Sequence, residues 1–440
     1  MQATSQTPNL SEWLERLEQR SPEARVDLGL DRVQQVLDHL KPDLSRCVTI
    51  TVGGTNGKGS CVSFLESIYR QAGHRCLAFT SPHLLVFAER FRLNGNHVED
   101  GILAQALSAV ELARGDIQLT YFEHIALAAF FLADVLEPSV LILEVGLGGR
   151  LDAVNAVDAD VSIITSIDLD HQQWLGQTRS DIAREKSGIA RAGRPLILAE
   201  QDPPAGMLEG LIGVGANIRR AGQQLNWQWR ANRLDIQVEL NDTTQLFNDL
   251  EPGIPGQHQG GNLTAAIAAV LELRSDRHVS ADQIHAGVAD ARLPGRFQKV
   301  LDQPMCVVDV AHNPSSARSL RDQLQGYDGR SLAVFAALGD KPIEQIVKVL
   351  DDQIDHWFFA GLDTSRGLSA EQAIERIDPT TLRGSHDAVE SVEQALDLAL
   401  AQARTSGHVP PDRIIVFGSF LTAAAAISHL KTLQAAEHYG

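Results

Sequence analysis

The sequence predicts an α/β protein of two domains, a mostly parallel sheet followed by a smaller α/β unit. Three observations carry this reading. Short, mostly apolar and β-branched runs recur at 48–52, 76–79, 140–145, 161–164 and 196–198, and most enter polar or glycine-rich turns. Continuous rather than alternating apolar strands imply burial on both faces, as in a parallel sheet covered by helices. The alternation then restarts after Leu293-Pro294-Gly295-Arg296, with strands at 306–310, 332–336, 357–360 and 414–417. Finally, 440 residues exceed what one ordinary core organises. The expected division is 1–295 and 296–440, the second unit being Rossmann-like and of about 140 residues.

The remaining elements follow in order. Amphipathic helices are expected at 13–17 and 30–40. The run 125–136 reads as a buried helix; it is too short to span a bilayer and contains Asp134. A helix is expected at 180–190. Residues 201–255 are glycine-rich and then alternate, as in Trp227-Gln228-Trp229-Arg230, which suggests a small antiparallel appendage. A proline- and glycine-rich stretch at 252–261 leads to a helix at 262–274. In the second unit, helices are expected at 315–324, 343–350 and 392–403.

Composition narrows the partners. A net charge of −18 argues against nucleic acid and anionic membranes, and it demands a locally basic pocket for any anionic substrate. Cys47, Cys61, Cys76 and Cys306 form no CxxC pair and suit no zinc site, consistent with a reducing cytoplasm. The first ten residues lack a basic segment followed by an apolar run, so no signal peptide is expected. A cytoplasmic monomer is the expectation.

The strongest chemical signal is Gly54-Thr55-Asn56-Gly57-Lys58-Gly59-Ser60, between a strand and a helix beginning near Cys61. Glycines let backbone N–H groups converge on a phosphate, and a helix N-terminus adds partial positive charge. Lys58 can reach the β- and γ-phosphates of ATP. The match to G-x-x-x-x-G-K-[ST] is imperfect: Val52 holds the first glycine place and Gly59 separates Lys58 from Ser60. Glu144 ends an apolar strand, where a carboxylate is costly unless paired or bound to a cation. It therefore reads as a magnesium ligand or half of a buried ion pair. His171, beside Asp168 and Asp170, is a weaker ligand candidate, since magnesium prefers oxygen. Ser81 is either a helix cap or a metal or substrate contact. Arg184-Glu185-Lys186 reads from spacing alone as a solvated helix face. Asp309 and His312-Asn313-Pro314 end the first strand of the second unit, with an N-cap as the bland alternative for Asp309. Polar strand ends on two domains suggest a nucleotide cleft between them.

Together these segments resemble the folylpolyglutamate synthase/dihydrofolate synthase family, relatives of the Mur ligases. The resemblance is carried by Asp27-Leu28-Gly29-Leu30-Asp31-Arg32-Val33, the glycine loop, Thr80-Ser81-Pro82-His83-Leu84, Thr120-Tyr121-Phe122-Glu123 and the segment from Leu143 to Ala153. It continues through Asp170-His171, Arg184-Glu185-Lys186-Ser187-Gly188-Ile189, Leu293-Pro294-Gly295-Arg296-Phe297, Asp309-Val310-Ala311-His312-Asn313-Pro314 and Gly418-Ser419-Phe420. The family loop also carries a glycine between lysine and hydroxyl. The resemblance implies magnesium on Ser81, Glu144 and His171, and a possible carbamate on Lys186. It implies nucleotide contacts at Gly54 to Ser60, Asn262, Arg296, Asp309 and His312, and a pterin-side pocket at Phe122, Asp152 and Ala153. Lys58, Glu144, His171 and Lys186 are then the expected catalytic group. One departure is Val154 before Asn155, where relatives commonly carry threonine.

The implied activity is ATP-dependent addition of L-glutamate to dihydropteroate and to reduced folates, within folate biosynthesis. A Mur-type peptidoglycan ligase is the near rival, against which Thr80–Leu84 and Tyr121–Glu123 argue. A nucleotide-dependent binding or regulatory protein is the alternative from another class.

Overall fold

The computed structural model describes residues 8–405 and 407–439. They form two compact units: the first runs to Ile254 and resumes over His258–Arg292, and the second holds Pro255–Gln257 and the chain from Leu293.

The first unit is built on an eight-stranded sheet. Its strands are β1 (Val48–Gly53), β2 (Cys76–Phe79), β3 (Phe91–Leu93), β4 (Asn96–His97), β5 (Val140–Glu144), β6 (Val161–Ile164), β7 (Pro195–Leu198) and β8 (Asn217–Arg220). They lie in the order β4-β3-β2-β5-β1-β6-β7-β8. All pairings from β2 to β8 are parallel, and β3 and β4 form an antiparallel edge. The central strands β1, β2, β5 and β6 are buried at every residue, the reason their sequences are largely apolar and β-branched. One face, with Leu77, Phe79, Leu141 and Leu143, packs on helices Leu10–Arg20, Asp31–Leu40, Asp100–Arg114 and Tyr121–Leu136. The other carries helices Lys58–Gln71 and Gln259–Glu272.

Helix Lys58–Gln71, which follows the glycine loop, is buried from Ser60 through Tyr69. Helix Ala281–Asp290 closes on it because Gly287 has no side chain; a Cβ there would lie 2.5 Å from Ile68 Cα. The phosphate-loop helix is therefore a core element and a rigid mount.

Residues 201–220 depart from expectation. They form helix Met207–Val214 and strand β8 rather than part of the appendage. The antiparallel sheet consists of β9 (Leu225–Arg230), β10 (Arg233–Leu240) and β11 (Thr243–Leu250). Leu234, Ile236, Val238 and Leu240 of β10 are buried, giving the period of two that the sequence displays.

The second unit has a six-stranded sheet of β12 (Gln298–Asp302), β13 (Met305–Val308), β14 (Ser331–Phe335), β15 (His356–Ala360), β16 (Ser385–Val389) and β17 (Arg413–Phe417), ordered β12-β13-β17-β14-β15-β16. Only β12 is antiparallel. Its core stacks Trp357 on Phe359 at 5.5 Å, with Phe335 and Phe417 against them.

No helix among the described residues is long and apolar enough to cross a membrane.

Candidate active site

Four adjacent parallel strands, β2, β5, β1 and β6, lead at their carboxyl ends into the segments with Ser81, Glu144, the glycine loop and His171, while Phe122, Lys186 and Asn262 come from helices. Ligands of parallel α/β sheets bind at the carboxyl edge.

The glycine loop leaves β1 between two glycines that nothing else can replace. Gly54 has φ 141°, and a Cβ there would stand 1.9 Å from Thr165 Oγ1. Gly57 has φ 89°, and a Cβ there would stand 2.2 Å from Asn262 Oδ1. Gly57 is also the N-cap of helix Lys58–Gln71, so the loop runs directly into a helix N-terminus.

The segment after β6 clamps this loop. Thr55 N–H donates to Ser166 O at 2.7 Å and Asn56 N–H to Ser166 Oγ at 3.0 Å. Thr165 Oγ1 donates to Asn56 O at 2.7 Å, and the Thr55 hydroxyl exchanges hydrogen bonds with the backbone of Asp168 at 3.0 and 3.1 Å. Thr165 and Ser166 were missed by sequence reasoning; the only signal was a hydroxyl pair after an apolar strand.

Two lysines converge on one carbonyl. Lys58 Nζ donates to Gly54 O and Thr55 O, each at 3.1 Å, and Lys186 Nζ donates to Gly54 O at 2.8 Å. Lys186 is 4% exposed, which corrects the solvated-face reading of Arg184-Glu185-Lys186. The error is one of register: on helix Arg179–Ser187, Lys186 shares the inward side with Ile182 and Ala183. Burial, then the neighbouring Lys58 charge, lowers its pKa to about 7 against the pull of Asp170 and Asp152.

Glu144 is 5% exposed and pairs in register with Val52 of β1, next to the loop. Its carboxylate accepts from Ser81 N–H at 3.3 Å, so Ser81 and Glu144 are brought together. His171 lies beyond the segment that follows β6, at the start of helix Gln172–Leu175, with φ 51° and its backbone N–H on Asp170 Oδ1. A buried carboxylate beside a serine suits a hard, oxygen-preferring cation such as Mg²⁺. Among the described residues no three His, Cys, Asp or Glu side chains cluster as a metal site; the expected set of Ser81, Glu144 and His171 has only two of those types.

Phe122, Asp152 and Ala153 meet at the turn after β5. The Phe122 ring lies on Gly146, where a Cβ would come within 2.5 Å of its Cζ. Asp152 accepts from Leu147 N–H at 2.8 Å and Val154 N–H at 3.1 Å. Burial raises its pKa to about 6, opposed by those N–H groups and Lys58. Ala153 and Val154 are buried. Val154, the departure from the family pattern, packs in the apolar core, and Asn155 spends its amide on Arg150 O and Gly188 O.

Asn262 is 8% exposed, lies against Gly57, and donates to Gln259 Oε1 at 2.9 Å. Gln259, fully buried, is a further residue that sequence reasoning missed.

In the second unit, Asn313 caps helix Pro314–Leu324 through Ser316 N–H, and Pro314 occupies its first position. The His312-Asn313-Pro314 motif is thus a helix start that presents His312. Asp309 is not the cap. It accepts from Phe297 N–H at 2.7 Å and Ala311 N–H at 2.8 Å, and burial raises its pKa although Arg296 opposes this. The Phe420 ring lies beside both Arg296 and His312.

Two family models match the chain: the Mur ligase middle domain over residues 52–270, and the Mur ligase, glutamate ligase domain over 295–420. With the clamped phosphate loop, they place it in the Mur ligase class. The dihydrofolate synthase/folylpolyglutamate synthase of Escherichia coli K12 is 39% identical over 418 residues, 94% of each chain. The structure of E. coli FolC in complex with DHPP and ADP superposes with a TM-score of 0.89, at 37% identity, covering 97% of this chain and 99% of that one. A Yersinia pestis bifunctional folylpolyglutamate synthase/dihydrofolate synthase complexed with AMPPNP and Mn gives a TM-score of 0.85, at 37% identity over 97% and 98%. This chain belongs to the dihydrofolate synthase/folylpolyglutamate synthase family. Relatives of that name over nearly its whole length do not favour the peptidoglycan alternative.

Proposed function

We propose that this protein joins L-glutamate to dihydropteroate and to reduced folates by ATP-dependent amide ligation. The observation that carries the reading is the pair Lys58 and Lys186 on the Gly54 carbonyl, one strand away from the joined Ser81 and Glu144. Solved relatives are described as complexes with DHPP and ADP, and with Mn, AMPPNP and L-glutamate.

In the proposed reaction the γ-phosphoryl group of ATP passes to the substrate carboxylate, giving ADP and an acyl phosphate. Glutamate's amine attacks the acyl carbon. The C–N bond forms, the C–O bond to phosphate breaks, and the amine loses a proton. Backbone N–H groups from Gly54 to Ser60 hold the phosphates, and Lys58 swings from the loop carbonyls to offset charge in the phosphoryl step. Ser81, Glu144 and His171 would hold Mg²⁺, which supplies charge neutralisation at the phosphates when bound. Asn262, Arg296, Asp309 and His312 are assigned to the nucleotide, and Phe122, Asp152 and Ala153 to the pterin side.

Lys186 is assigned a carbamate. A buried lysine with a pKa of about 7 exposes a neutral amine at physiological pH. That amine adds to CO₂ and releases a proton, and the resulting anion attracts Lys58 instead of repelling it. We also assign a monomeric state in the cytoplasm.

Lys58→Ala is expected to abolish turnover while melting like the parent chain. Near-normal ligation by a folded Lys58→Ala chain would refute this role for the loop.

A further inference from the structure

Gly418-Ser419-Phe420 has no part in the reaction above, yet its conformation is tightly specified. Gly418 has φ 125°, and a Cβ there would meet Ala336 O at 2.3 Å. Ser419 Oγ accepts from Thr422 N–H at 3.0 Å, and Thr422 Oγ1 donates to Ala336 O at 2.6 Å. The Ser419 and Thr422 hydroxyls are also 2.7 Å apart, and both residues are buried. These contacts pin the first turn of helix Phe420–Tyr439 to the end of β14.

The pinned turn sets the ring of Phe420 beside two residues from distant parts of the second unit. Arg296 Cζ lies 5.4 Å from the ring centroid. The His312 ring lies 6.1 Å away at 48°. The negative face of an aromatic ring attracts a guanidinium, and holding a long side chain in place before binding spares ordering entropy later. His312 Nδ1 meets the carbonyl of Val310 at 2.8 Å. A carbonyl only accepts, so Nδ1 carries the proton, and this bond fixes the ring's orientation.

We propose that Phe420 is a positioning residue for the nucleotide: its ring holds Arg296 and His312 in the orientation in which they meet ATP. This rests on the reading that those two residues contact the nucleotide.

The test compares the full chain with Phe420→Ala, Phe420→Tyr and Phe420→Leu, and with Arg296→Ala and His312→Ala. It measures the KM of ATP, the KM of the folate acceptor, kcat and thermal melting. Phe420→Ala should raise the KM of ATP about tenfold, between the exposed and desolvated limits for a cation–ring contact, and change the acceptor KM less than twofold. Phe420→Tyr, which keeps the ring, should restore the parent value. Phe420→Leu, apolar without a ring, should not. Equal rescue by leucine and tyrosine would overturn the inference, and this comparison decides even if the alanine variant melts early. A raised KM in Arg296→Ala and His312→Ala with an unchanged value in Phe420→Ala would overturn the inference alone. Unchanged ATP KM values in Arg296→Ala and His312→Ala would remove the nucleotide reading of those residues, and the inference with it.

Discussion

Lys186 gives the sharpest prediction, because its chemistry and its cost to stability run in opposite directions. Its amine donates to Gly54 O at 2.8 Å, is 4% exposed, and has its pKa lowered to about 7 from an ordinary 10.5. A carbamate forms only from the neutral amine. With a pKa of about 7, roughly nine-tenths of the chains are neutral at pH 8 and roughly one-tenth at pH 6. Glutamate incorporation should therefore fall from pH 8 to pH 6, since fewer neutral amines are present and carbamate formation also releases a proton, and bicarbonate should stimulate a CO₂-stripped sample. The stability effect runs the same way with pH, although the buried amine itself lowers stability. Between pH 7 and 10.5 the unfolded chain holds the Lys186 proton more tightly than the folded chain, so folding stability rises with pH across that window. At pH 7.5 the buried amine costs up to roughly 4 kcal/mol, and the lost bond to Gly54 O offsets part of what its removal gains. Lys186→Met should thus melt no lower than the parent while losing ligation, and small carboxylic acids should restore part of its activity. Labelled glutamate incorporation from pH 6 to 8.5 and melting at pH 7.5 check this. A flat rate across that range, together with full activity in Lys186→Met, would refute the reasoning.

Three further predictions concern the supports of the site. Gly57→Ala should abolish ADP binding measured by calorimetry, and Asn262→Ala should not rescue it, because relieving the 2.2 Å clash leaves the strain of φ 89°. Thr165→Val removes the hydroxyl bonded to Asn56 O and Gly53 O; it should cost about 1–3 kcal/mol in denaturant unfolding and weaken ADP binding. Asp309→Asn replaces one of two acceptors with a donor facing an N–H group; unfolding should show a loss of about 1–3 kcal/mol, and the KM of ATP should rise.

Much of the architecture was legible because buried parallel strands write themselves as apolar runs. β1, β2, β5 and β6 fall where those runs do, and the polar residues that end them lie at the ligand-binding edge. Edge strands carry no such signature. β8 reads Asn-Ile-Arg-Arg, and its Arg219 is paired with Glu272, so charge concealed it. β16, Ser-His-Asp-Ala-Val, lies at the far edge of the second sheet and was hidden for the same reason. The hairpin β3–β4 is too short to show a period. In the site, glycines and the HNP motif announce themselves through backbone chemistry. Thr165, Ser166 and Gln259 do not, since they act by bonding to loop backbone or to another side chain from distant segments. The burial of Lys186 was hidden because a lysine stands at a position that helical spacing from Ile182 and Ala183 gives to the inward face.

The central claim is that ATP cleavage is coupled to formation of an amide with glutamate. The most direct measurement follows ADP release and labelled glutamate incorporation together, with dihydropteroate or tetrahydrofolate as acceptor. The account predicts one ADP per glutamate incorporated, and release that depends on the acceptor. ADP or phosphate release without glutamate incorporation under either acceptor would contradict it.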